Sequence, residues 1–176
     1  MATETLTYSD DRDKAYGITG MAITLVALDA ADFFDSIDLD APSGEHIVMS
    51  HDYGMRGNPR MSAKIIWQQT MRELKLTASI ALGNLTCRRY LLAHKGLSDK
   101  EITVIREALR HDADQHLDMD SDEADRLFDS CRQYADRLFR HQGVAGVAHS
   151  FADKLAERHQ MSAAEAIEIL ASLGLQ

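Results

Sequence analysis

The densest store of reactive side chains is HDADQHLDMDSDEAD, residues 111–125, where imidazoles and carboxylates stand close enough to suggest a divalent-metal site. His111 and His116 are five apart, about 140° round a helix of 3.6 residues per turn, and so do not converge on one ion. Asp112 and His116, four apart, share a helix face and form the good ligand pair. Asp29 and Asp32 sit beside the apolar run Leu25–Val26–Ala27–Leu28, where a carboxylate must be paired, protonated or at a solvent edge. Facing Asp112 and His116 across a helix pair, they would complete a four-ligand site suited to a metal-dependent hydrolase.

A second store is SGEHIVMSHDYGMRGNP, residues 43–59, which reads as neither helix nor convincing strand. His46, His51, Asp52, Tyr53 and Arg56 are its candidate functional residues. With residues 38–42 it makes a connection of more than about 20 residues, a length usually associated with function or disorder. Ile47, Val48 and Met49 suit a short extended piece laid over the helices, which would order the remainder. Gly54 and Gly57 permit tight turns beside the next helix.

Three motifs are approached and missed. The doublet His111–Asp112 resembles that of the HD phosphohydrolases, but the apolar flanks and partner ligands of that family have no counterpart, so its site is not carried over. Asp118, Asp120 and Asp122 alternate as in an EF-hand loop, yet Glu123 replaces the turning glycine and Asp129 the bidentate glutamate. LAERHQMSAAEAIEIL, residues 155–170, resembles the helix-turn-helix of bacterial repressors, with Leu155, Ala156, Met161, Ser162, Ala166 and Ile169 at its packing positions. That resemblance implies a DNA-binding protein. The would-be recognition helix, however, offers Glu165 and Glu168 and no base, which opposes contact with phosphates or guanine edges. The Glu-x-x-His signature of di-iron bundles, the Walker loop and the Gly-x-Ser-x-Gly elbow are absent from the sequence.

The elements that would position these residues are helical. A first helix is expected over residues 12–37, with Ala15, Ile18, Ala22, Leu25, Val26 and Phe33 on one stripe. A second, over 59–95, carries Trp67, Met71, Leu74, Ala78, Leu82 and Leu85 in register. Its length of roughly 50 Å exceeds the diameter of about 40 Å expected for a compact chain of this size. It must bend, best at Gly83–Asn84, or project and be covered by another subunit. SDKE at 98–101 and DSDE at 120–123 are capping boxes that open helices reaching about 117 and 142. Asp122/Arg126, Asp129/Arg132 and Asp136/Arg140 are expected as ion pairs along the outer face of the latter. A helix over 144–159 and one capped by SAAE at 162–165 would form a C-terminal hairpin within 143–176.

These elements predict an all-α, single-domain bundle of about six helices, with residues 1–10 flexible and an ordered connection over 38–59 between the first two helices. The 176 residues suffice for a sizeable core. Cys87 and Cys131 fit buried free thiols of a reducing compartment, and the acidic, polar start MATETLTYSDDRDK lacks the pattern of an export signal, so a cytoplasmic location is expected. A net charge of −9 disfavours nucleic acid, and the longest uncharged run is too short to span a membrane. The expected function is a non-enzymatic protein-interaction or accessory module that self-associates, with no cofactor predicted. A carboxylate–histidine metalloenzyme, with a divalent metal, is the alternative, and DNA binding the second.

Overall fold

The computed structural model describes residues 7–42, 44–50 and 62–173. Among them are six α-helices and a small antiparallel sheet: α1 (Asp11–Ala27), β1 (Phe34–Asp38), β2 (Ile47–Met49), α2 (Ala63–Cys87), α3 (Asp99–Leu117), α4 (Ser121–Arg140), α5 (Gln142–Arg158), β3 (Gln160–Ser162) and α6 (Ala163–Leu170). The predominantly helical expectation holds. The sheet was not foreseen.

The first helix ends ten residues before the expected boundary of Ile37, and its termination is specific. Asp29 takes a left-handed backbone, φ 54°. Its N–H bonds to the Val26 carbonyl, and that of buried Ala30 to the Leu25 carbonyl. This is the Schellman arrangement, usually built on glycine, in which an aspartate is tolerated. After one 3₁₀ turn, Ala31–Phe33, the chain enters β1. There Phe34 and Ile37 are both buried although strict strand alternation would part them. A register irregularity between Phe34 and Ser36 resolves this: a bulge turns both side chains inward and makes the strand imitate helical spacing.

β1 is the central strand, flanked by β2 and β3. Ile37 pairs with Ile47 on one side and Met161 on the other, so the sheet ties the start of the α1–α2 connection to the turn between α5 and α6. The extended piece expected at residues 47–49 is β2. The C-terminal pair of helices is therefore not a plain hairpin, since its turn is a strand.

α2 divides the interior. Leu74, Ala78, Leu82 and Leu85 pack with α3 and α4, while Leu76 and Cys87 belong to a separate cluster with α1, α5, α6 and the sheet. α2 stays α-helical through Gly83 and Asn84, where a bend was expected, and widens into a single π turn at Arg88–Leu92. Gly83 is instead the point of closest approach to α1. A Cβ at Gly20 would collide with the Gly83 carbonyl, and one at Gly83 with the Thr24 hydroxyl. Glycine is required there by the proximity of two backbones.

α3 begins with the expected capping box, Ser98 and Glu101 satisfying each other's amides. α4 has half of one: Asp120 accepts from the Glu123 N–H at 2.8 Å. The outer charges of α4 reach across to neighbouring elements rather than along the helix. Asp125 takes two hydrogen bonds from Arg110, Asp129 one from Arg106, and Asp136 one from the Tyr90 hydroxyl.

Candidate functional site

The sequence-predicted metal residues do not assemble. Asp29 is exposed and serves the α1 terminus, and Asp32 is exposed in the 3₁₀ turn. Asp112 is half-buried and His116 exposed on α3, which packs on α2 and α4, whereas α1 packs on α2 and α5. The two halves of the proposed site thus lie on segments that pack into different core clusters. Among the described residues no group of three His, Cys, Asp or Glu side chains is placed to hold a metal ion. Asp118 closes α3 with a left-handed backbone and Asp120 caps α4, so the aspartates that imitate a calcium loop are helix-terminating residues.

Of the candidate loop, His51, Asp52, Tyr53 and Arg56 lie outside the described residues. His46 is described, and it points inward with 5% of its surface exposed. Its ring lies 5.7 Å from that of Tyr8, and its Nδ1 is 3.2 Å from the Asp38 carbonyl. Of residues 7–10, expected to be flexible with the rest of the amino terminus, Tyr8 takes part in this packing, and the Ser9 N–H donates to Asp13 Oδ2 at 2.9 Å.

Beside Tyr8 lies a polar cluster that sequence reasoning missed. Arg88, 2% exposed, donates through Nε and Nη2 to both carboxylate oxygens of Asp13, which is 5% exposed. Nη2 also donates to the Thr7 carbonyl at 2.8 Å, Nη1 to Asn84 Oδ1, and the guanidinium lies 4.8 Å from the Tyr8 ring centroid. The Asn84 amide donates to the Tyr8 hydroxyl at 2.9 Å. Burial alone would raise the Asp13 pKa, but the Arg88 bonds and the Ser9 amide and hydroxyl outweigh it and hold the carboxyl below its ordinary range. The same burial raises the Tyr8 phenol. All three guanidinium nitrogens are engaged, so the cluster works as a clamp of the amino-terminal segment and α1 onto α2. The sequence signal was an arginine doublet, which is ambiguous: Arg89, next along the π turn, turns the other way to Glu101 at 2.7 Å.

Tyr16 and His149 form another unforeseen pair, hydroxyl to Nδ1 at 2.6 Å, joining α1 to α5. Tyr134 of α4 donates to the last carbonyl of α1, Ala27, at 2.9 Å. These contacts fix α1 and, through the clamp, the direction of α2.

That direction matters because α2 outruns α3. Arg89 stands against Glu101 near the start of α3, so α3 returns antiparallel to α2. The stretch from Glu101 to Leu117, laid back along α2 from Arg89, reaches only to Glu73. Leu117 and Met119 pack against the core cluster that contains Leu74. Residues 64–72 overhang the α3–α4 turn by roughly 13 Å. On this overhang Ile65 is 43%, Ile66 41% and Trp67 50% exposed. Trp67, expected inside with the core stripe of α2, is the continuation of that stripe beyond the helices that cover it. α2 is shorter than the helix expected over 59–95, its α-helical part running from Ala63 to Cys87, and its first turns project past the α3–α4 turn.

Compared with protein-family models, curated proteins and solved structures, the chain finds no match.

Proposed function

We propose that the chain is a non-enzymatic protein-interaction module whose working surface is the exposed amino-terminal stretch of α2. The observation that carries the reading is the run Ile65–Ile66–Trp67, three consecutive large apolar side chains presented to solvent around one rigid helix. Scattered exposed apolar residues are ordinary, but three large apolar side chains gathered in one helical turn, an aromatic among them, suit a binding surface. The clamp at Arg88 and the Gly20–Gly83 contact supply the rigidity that keeps the ordering cost of binding low. Buried Cys87, whose thiol pKa is raised by burial, offers no nucleophile to a competing enzymatic reading.

Trp67 is the sole tryptophan of the chain, so 5-fluorotryptophan labelling yields a single fluorine resonance from the surface itself. On this reading the resonance shifts or broadens as the protein is concentrated, or when soluble extract of its own cells is added. Ile66→Ser abolishes the change without altering the circular dichroism. A resonance indifferent to both additions sinks the reading.

A further inference from the structure

Resting on that reading, we infer that the occupant of the α2 overhang is a second copy of this chain, each overhang docking by twofold symmetry on the acidic α3–α4 turn of the other. The argument is one of charge. The overhang, residues 64–72, carries two bases, Lys64 and Arg72, and no acid, in a chain with 28 acids against 19 lysines and arginines. The rest of the chain therefore carries −11, and the surface to be covered is a basic, apolar one on an acidic molecule.

The matching surface lies at the same end of the bundle. Residues 111–124 hold six acids and no lysine or arginine. Five of them, Asp114, Asp118, Asp120, Asp122 and Glu123, are exposed. Leu117 and Met119 between them are only partly buried and border the core. Each copy thus presents, side by side, an acidic turn with an apolar centre and a basic apolar helix end carrying Lys64 and Arg72, the latter exposed although its guanidinium lies 5.2 Å from the Phe33 ring centroid. A twofold axis brings each against its complement twice, which is how an isologous interface satisfies a single self-complementary patch. It places Trp67 and Ile66 at the centre, with charges at the rim that set orientation and partner choice.

The test is a charge swap read by sedimentation. The wild-type chain is expected to dimerise at low ionic strength and to weaken as salt is raised. Lys64→Glu with Arg72→Glu places acid against acid at both contacts, and Asp114→Lys with Asp122→Lys places base against base. Each variant is expected to lose dimerisation by about tenfold or more in dissociation constant, equivalent to about 1.4 kcal/mol. An equimolar mixture of the two is expected to recover it, because both contacts are again complementary. Circular dichroism confirms that each variant is folded.

A wild type that is monomeric at every concentration, or variants that dimerise as well as wild type, overturns the inference. So does a mixture that remains monomeric. These failures are separable from failure of the interaction reading. A monomeric chain whose Trp67 resonance still responds to cell extract retains that reading and loses only the second copy. A response confined to anionic phospholipid vesicles overturns both.

Discussion

Asp13 and Arg88 meet across the crossing of α1 and α2 as a buried, doubly hydrogen-bonded ion pair. Removing one member strands the other charge in the interior, and such losses amount to about 3–5 kcal/mol. Arg88→Met and Asp13→Leu are each expected to fall in that range by urea denaturation. The double variant, which strands neither charge, is expected to recover much of the loss; strictly additive losses would show that the pair is not coupled.

Asp13 and Glu101 also predict a dependence on acid. Burial opposes ionisation of Glu101 as it does of Asp13, but bonds from Arg89 and Ser98 prevail, and both carboxyls lie below their ordinary values. The unfolded chain consequently binds more protons, so their contribution is full above the ordinary carboxylate pKa of about 4 and is lost as pH falls through the depressed folded values. The urea midpoint should fall on acidification from about pH 5 to pH 2. Asp13→Asn and Glu101→Gln, less stable at neutral pH, should each show a shallower fall.

The Gly20–Gly83 approach admits no side chain. Gly20→Ala and Gly83→Ala improve helix propensity and yet are expected to destabilise by about 1–3 kcal/mol, because α1 and α2 must separate. Thermal unfolding of the two single variants checks this. A stabilised alanine variant would mean that the helices are not in contact there.

Asp29 caps α1 with a left-handed backbone, and glycine adopts that backbone without cost. Asp29→Gly is expected to leave stability unchanged or raise it by up to about 1 kcal/mol. Asp112→Ala and His116→Ala should lie within about 0.5 kcal/mol of wild type, with metal content unaltered. Loss of bound metal in any of the three would revive the site that their spacing suggested.

The misread boundary of α1 shows where local pattern stops informing. Phe33, Phe34 and Ile37 recur at helical intervals, yet the interval arises from a bulge in a strand whose partners, β2 and β3, lie far along the chain. The capping serines, by contrast, were legible because a cap is a bond between residues three apart. Ser98 and Ser162 both make it, the latter opening α6 where expected.

The sequence by itself determined the helical class, the starts of α3, α4 and α6, and the extended piece at residues 47–49. Each rests on interactions between near neighbours. Tertiary structure alone decided that Asp29 and Asp32 stand apart from Asp112 and His116, that Arg88 serves Asp13 while Arg89 serves Glu101, and that Trp67 lies beyond the cover of α3. Those outcomes depend on which helix faces which, and on where a neighbour ends, and neither is written in the spacing of residues along a single element.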